Sequence, residues 1–385
     1  MEIADRVKTL TPSVSLAISA KAKALKASGE DVIGFGAGEP DFDTPEHIKA
    51  AAMGAIDAGF TKYTPASGIP ELREAIADKL HTDNALDYEP HQIIVSCGAK
   101  HSVFNALLAT INPGDEVLIP APYWLSYPEM VRVAGGEPII VPTNRENAYK
   151  LTPDQFLEHM SPLTKMVIIN SPGNPTGTVY TENELAALAE VALDEEILIL
   201  SDEIYEKLVY DDCKHVSLAS FSKQVYDNTI VVNGFSKAYA MTGWRLGYLA
   251  APTELARAIN SMQSHTTSNP TSFAQRGGWA ALKSPQDCVD EMRTTYDARR
   301  KLMCQKLDSI NALSYVKPQG AFYVMVDISE MNMASTDFAE RLLESKQVAV
   351  VPGAAFGDDN TVRLSYACSN DDIEKGLDRL ADFCA

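Results

Sequence analysis

Lys237 stands in Asn233-Gly-Phe-Ser-Lys-Ala-Tyr-Ala-Met-Thr-Gly-Trp-Arg-Leu-Gly-Tyr248, a stretch with almost no other charge to answer it. The apolar run Thr229-Ile-Val-Val reads as a buried strand, and Gly234 breaks it just before the lysine. An amine on the loop leaving a buried strand is desolvated, which lowers its pKa and suits it to form a Schiff base with an aldehyde. Arg245 follows eight residues later, between Gly243 and Gly247, where small residues let a ligand approach the backbone. The Ser236 hydroxyl and the Arg245 guanidinium could share one phosphate. A lone lysine is usually just a surface residue, so the reading rests on the combination.

The elements that would position these groups have an α/β rhythm. Gln92-Ile-Ile-Val-Ser, Glu116-Val-Leu-Ile-Pro, Lys165-Met-Val-Ile-Ile-Asn, Ile197-Leu-Ile-Leu-Ser, Thr229-Ile-Val-Val-Asn and Leu246-Gly-Tyr-Leu-Ala read as strands buried on both faces, hence a mostly parallel sheet. Helical stretches separate them, among them Thr181 to Leu193 with a capping box at Thr181 and Glu184. In open sheets of this kind ligands bind at the carboxyl ends of strands. Ser96-Cys-Gly-Ala-Lys-His opens a helix at Ala99 there, so its free N–H groups can hold a phosphate. Asn170-Ser-Pro-Gly-Asn-Pro-Thr-Gly and Ser201-Asp-Glu-Ile-Tyr end two further strands.

Ser15 to Ser28 has helical spacing, and Thr44-Pro45-Glu46 reads as a helix start with Thr44 as the N-cap. Gly34, Gly36 and Gly38 mimic a dinucleotide fingerprint, but Glu39-Pro40 replaces the helix that must follow. A glycine-lined loop against a substrate, or a plain turn, remains. Tyr63, in the turn-rich loop after Lys62, is either a core tyrosine or a phosphate donor. From about residue 283 the texture changes to a long charged helix, Pro285 to Leu307, then a strand over Pro318 to Asp327, the stretch Val348-Ala-Val-Val-Pro-Gly, a short strand at Thr361-Val-Arg-Leu-Ser-Tyr and a last helix, Asp371 to Phe383. We expect a large domain over 46–282 and a smaller α+β domain made of 1–45 and 283–385.

With 385 residues, 45% hydrophobic and 22% charged, the chain has room for two domains and little reason to be disordered. Its net charge of −19 opposes nucleic acid and anionic membranes. The six cysteines are scattered, with no pair or His/Cys cluster at metal spacing, so reduced thiols and no metal are expected. The absence of an apolar leader or span leads us to expect a cytoplasmic protein.

Ser-Lys followed by Arg-Leu-Gly resembles the lysine signature of the class I and II pyridoxal-phosphate aminotransferases. The wider resemblance runs from about Ser13 to the C-terminus. It is carried by Gly38-Glu-Pro-Asp-Phe, Lys62-Tyr63-Thr64, Tyr123-Trp124, Asn174-Pro-Thr-Gly, Asp202-Glu-Ile-Tyr205 and Met241-Thr-Gly-Trp-Arg245, and is nearest to the bacterial aspartate aminotransferase subgroup. It implies the pyridoxal-phosphate transferase fold: a mostly parallel seven-stranded sheet flanked by helices, plus the smaller α+β domain.

A pyridinium cofactor on Lys237 needs an acid at its ring nitrogen. Asp202, after a buried strand, is the candidate, while Tyr205 and Asn174 can hydrogen-bond the phenolic oxygen. The freed Lys237 amine would then serve as general acid/base. By resemblance, Trp124 stacks on the ring, and Gly98, Ala99, Ser236 and Arg245 hold the phosphate together with Tyr63 from a second subunit. Gly38 lines the substrate and Arg363 clamps its α-carboxylate. Lys100 either holds phosphate or pairs with a distal carboxylate, which would select aspartate, glutamate and their 2-oxo acids. Thr11 stands where relatives acting on prephenate should carry a basic residue. The implied protein is a homodimeric aspartate aminotransferase. Other donor ranges (aromatic, prephenate, alanine), or a lyase on the same fold, are the alternatives.

Overall fold

The six apolar runs all form strands, as expected of β-branched segments bounded by turn residues. The structure, a computed structural model, describes residues 2–8, 10 and 14–385, so Thr11 lies outside it. After the short β1 (Ile33–Gly34), seven strands among the described residues build the main sheet. They are β2 (Ile93–Ser96), β3 (Glu116–Ala121), β4 (Glu137–Pro142), β5 (Thr164–Asn170), β6 (Leu198–Asp202), β7 (Thr229–Gly234) and β8 (Gly247–Ala250). The spatial order is β2-β8-β7-β6-β5-β3-β4, parallel except for β8, which is antiparallel to both neighbours.

Alternation explains why helices cover both faces. Met166 and Ile168 of β5 pack on one side with Val103 and Leu107 of the helix Ala99–Thr110. Val167 and Ile169 pack on the other with Leu185 and Leu188 of the helix Glu182–Asp194. That helix starts as expected, the Thr181 hydroxyl accepting from Glu184 N–H and the Glu184 carboxylate accepting from Thr181 N–H. β4 was not among the expected strands, because Pro138 and Pro142 argue against one. As the edge strand, paired only with β3, it tolerates them.

Five further strands follow: β9 (Ser314–Tyr315), β10 (Tyr323–Asp327), β11 (Val348–Ala349), β12 (Val351–Pro352) and β13 (Thr361–Ser365). β11 pairs with β1, and the others form an antiparallel sheet of order β12-β13-β10-β9. Val324, Val326, Val362 and Leu364 of this small sheet share one core with Tyr296 and Met303 of the helix Asp287–Leu307 and with Ile373 and Leu377 of the helix Asn370–Cys384.

The start of the helix Glu46–Asp57 corrects one expectation. Pro45, not Thr44, occupies the cap position, and no side chain caps it. The Thr44 hydroxyl instead donates to the Ala240 carbonyl at 2.6 Å and accepts from the Trp244 indole N–H at 2.9 Å. A tertiary pair has taken the hydroxyl that a local cap would have used, and it ties the glycine loop to the loop after Lys237. The same loop is pinned from the far side by Arg299, which grips Asp41 with two hydrogen bonds of 2.7 and 2.8 Å and lies over Phe42.

Candidate active site

β2, β5, β6 and β7 run parallel, so Ser96, Asn170, Asp202 and Gly234 come out at one edge of the sheet. A cavity of about 570 Å³ opens there, closed on its other side by the glycine loop and the small sheet. Gly38, Ala99, Lys100, Trp124, Asn174, Asp202, Tyr205, Ser236, Lys237, Arg245 and Arg363 all line it. The structure thus brings together every residue expected to touch cofactor or substrate except Gly98, which lies directly behind Arg245, and Tyr63. Tyr63 does not line the cavity, and 90% of its surface is exposed.

Lys237 donates to the Gly38 carbonyl at 2.5 Å, and its ammonium lies near the Tyr205 and Phe322 rings. Burial first, and then the positive charge of Arg363, pull its pKa down to about 8, against the pull of Glu39. Asp202 ends β6 with its carboxylate facing the cavity, where Tyr127 Oη donates to Oδ2 at 2.6 Å and Ile204 N–H to Oδ1 at 3.2 Å. Burial pushes Asp202 up to about 6 in spite of those two donors. Glu203, the next residue, accepts from Ser201, Ser217 and His215 instead. Asn170, opposite Asp202 in register, donates to the Asp202 carbonyl and accepts from Asn174 N–H, which fixes the loop carrying Asn174.

Gly98 precedes the helix Ala99–Thr110 with φ of 90°, and Arg245 Nη2 would lie 2.6 Å from a Cβ there. His101 and Ser102 N–H bond back to Gly98 O, leaving the earlier amides of Ala99 and Lys100 ahead of the helical ladder. β8 runs so close that a Cβ on Gly247 would lie 2.2 Å from Ala99 N. Arg245 is exposed, held by bonds to the Thr242 and Cys97 carbonyls, and its left-handed φ of 53° turns it toward this helix end. Amides, a hydroxyl and a guanidinium converge in a cradle of the right chemistry for a phosphate.

Arg363, on β13, is buried; it donates to Asn174 Oδ1 and to the Gly36 carbonyl, both at 3.0 Å, while its Nε has no partner. A buried guanidinium with a free N–H beside a fixed Asn has the chemistry to take a carboxylate. Lys100 reaches over Trp124, its ammonium 4.8 Å from the ring centroid, and burial lowers its pKa. Lysine, buried acid, aromatic platform and phosphate cradle in one cavity are chemistry that fits a pyridoxal phosphate. Two lining residues escaped the sequence reading. Tyr127, three residues after Trp124 and packed against it, holds Asp202, and Tyr323 pairs with Tyr205.

The chain matches the family model "Aminotransferase class I and II" over residues 30–380. It is 50% identical to an aspartate aminotransferase of Bacillus sp. (strain YM-2), covering 99% of this chain and 98% of that one. An aspartate/prephenate aminotransferase of Cereibacter sphaeroides is 48% identical, covering 100% of this chain and 98% of its own. Among solved structures, the aspartate aminotransferase of Rhizobium meliloti superposes with a TM-score of 0.96 at 41% identity, covering 100% and 99% of the two chains. That of Thermus thermophilus, determined with maleate, gives 0.95 at 43%, covering 99% of both. With its fold, its cavity and its whole length in agreement, the chain belongs to the class I and II aminotransferases, enzymes that depend on pyridoxal phosphate.

Proposed function

We propose that this enzyme transfers the amino group of L-aspartate to 2-oxoglutarate, giving oxaloacetate and L-glutamate. The observation that carries the reading is a pair of cations in one cavity: Arg363 beside Asn174, and Lys100 over Trp124. One meets the α-carboxylate of the substrate and the other its distal carboxylate. Relatives near 50% identity carry the name aspartate aminotransferase, and the Thermus thermophilus relative was solved with maleate, a dicarboxylate. Other relatives are named aspartate/prephenate aminotransferases, but Thr11 offers no positive charge where the resemblance calls for one.

Bound pyridoxal phosphate supplies the electron sink for the charge left when the substrate Cα loses its proton. The chain's own groups do the rest. Lys237 Nζ takes that proton and returns it, a task suited to an amine whose pKa is near 8. Asp202 would keep the ring nitrogen of the cofactor protonated, with Tyr127 fixing the carboxylate that does so, and Trp124 would cover the ring. Tyr205 and Asn174 would hydrogen-bond the phenolic oxygen. Gly98, Ala99, Ser236 and Arg245 would hold the phosphate, and Gly38 would border the substrate. We assign residues 46–282 to the cofactor-binding domain and 1–45 with 283–385 to a second domain that carries Arg363. A cytoplasmic location stays our reading from the sequence. No helix among the described residues is long and apolar enough to cross a membrane.

Lys100→Ala tests the dicarboxylate reading. Its kcat/KM for aspartate should fall by about 10- to 150-fold, the worth of one charged hydrogen bond, while alanine as donor loses much less. Equal losses for both donors would mean that Lys100 serves only the phosphate.

The site is completed by a second copy of the chain. Tyr63 is almost fully exposed, with Met53 and Ile56 also bare on the neighbouring helix Glu46–Asp57, and the resemblance sends Tyr63 to the partner's phosphate. Mixing inactive Lys237→Ala with weakened Tyr63→Ala chains should then create hybrid dimers with one intact site. Transamination rising above the Tyr63→Ala level after co-refolding supports the shared site. If Tyr63 served its own subunit, every hybrid site would keep one defect and no activity would return.

A further inference from the structure

We propose that Tyr323 is a positioning residue for the reaction: its hydroxyl donates to the Tyr205 hydroxyl, which turns the Tyr205 proton toward the phenolic oxygen of the cofactor. This rests on reading Tyr205 as the neighbour of that oxygen. The two hydroxyls are 2.9 Å apart and both residues are buried. A phenol has one proton, so Tyr205 can donate to Tyr323 or to the cofactor, but not to both.

The surroundings decide the direction. Arg363 lies opposite Met325 in the β10–β13 register, which makes Tyr323, two residues back, its diagonal neighbour on the same face. The guanidinium stands 4.4 Å from the Tyr323 ring centroid. Burial raises both phenols, but the guanidinium is the leading counterweight at Tyr323, whereas at Tyr205 it comes after the coupling to Tyr323 itself. With the guanidinium lying directly against its ring, Tyr323 is the phenol whose proton that charge makes easier to share, and so the better donor of the pair. The other charged groups facing the pair are Lys237, above the Tyr205 ring, Asp202 at the end of β6, and Glu39 on the glycine loop. The Tyr323 hydroxyl is also 3.5 Å from where a Cβ on Gly38 would stand, beside the carbonyl that receives Lys237.

A hydroxyl that accepts one hydrogen bond becomes a stronger donor in the next. Tyr323 therefore strengthens the donation from Tyr205, stabilises the ionised phenolic oxygen, and lowers the basicity of the Lys237 nitrogen in its bond to the cofactor. The small sheet delivers two things to the site: the carboxylate-binding Arg363 and the hydroxyl that orients Tyr205.

The test uses the holoenzyme without substrate and follows the cofactor absorbance band as pH is varied. Tyr205→Phe should raise the titration midpoint. Tyr323→Phe keeps the ring against Arg363 and should raise it by a smaller amount, roughly half a unit, as expected for polarisation passed along a hydrogen-bond chain. The double variant should match Tyr205→Phe alone, because Tyr323 acts only through Tyr205. A midpoint unchanged or lowered in Tyr323→Phe, with Tyr205→Phe still raised, overturns the proposal and leaves the site reading intact. A midpoint unmoved in Tyr205→Phe overturns both.

Discussion

Lys237→Ala should purify as a folded protein and lose transamination by at least about 10⁴-fold, the upper end of what one positioned acid/base group contributes. The fold should survive because the side chain makes a single hydrogen bond, to the Gly38 carbonyl, and is held at a cost that burial imposes on its charge. Removing a cation whose pKa is already drawn down to about 8 removes a penalty along with a contact. Cofactor should still bind through the phosphate cradle, since Ser236, Arg245 and the amides after Gly98 are untouched, but borohydride should fix none of it to the chain. A reduced adduct on any other lysine, Lys100 included, would show that the proton carrier has been misassigned. Near-normal activity would do the same.

How far the sequence reached depended on whether a residue's role was written locally. Six of the seven main strands were legible because burial on both faces demands unbroken apolar runs, and β7 and β8 are buried at every position. β4 was not, since its prolines look like turns until its place at the sheet edge is known. The cap expected at Thr44 failed for a related reason: Ala240 and Trp244, nearly 200 residues away, claim the hydroxyl.

The same divide runs through the site. Lys237, Asp202 and Arg245 were conspicuous because each is a charge set directly against an apolar run, at a strand end where charge is costly without a task. Arg363 carries that signal too, a guanidinium inside Thr-Val-Arg-Leu-Ser, yet only the resemblance gave it a role. Tyr127 and Tyr323 carry none. In type and setting they match Tyr248 or Tyr296, which lie in the core, and only the distances of 2.6 Å to Asp202 and 2.9 Å to Tyr205 set them apart. Tyr63 is the opposite case: it is visible in its motif, but one chain by itself gives it nothing to touch.

Asp202→Asn should separate what this carboxylate does for catalysis from what it costs the fold. Activity should fall by about 10³-fold or more, the range seen when a fixed charge or donor aimed at the reacting system is lost, because an amide cannot hold a ring nitrogen protonated. Stability without cofactor should move the other way. Burial raises the Asp202 pKa to about 6, above the roughly 3.9 of an unfolded chain. The folded protein therefore binds this proton more tightly, and its stability drops as pH rises from about 4 through about 6. Asparagine has no such titration, and its amide can donate to Tyr127 while its oxygen accepts from Ile204 N–H. Cofactor-free Asp202→Asn should accordingly gain on the wild type across that pH window, by about 3 kcal/mol at neutral pH. Adding pyridoxal phosphate should reverse the order, since only the wild type can pair a carboxylate with the protonated ring. Melting curves of both proteins at pH 4.5 and pH 7.5, with and without cofactor, check this. A wild-type protein that stays the more stable at pH 7.5 without cofactor would mean that the carboxylate is answered by some cation of the chain itself.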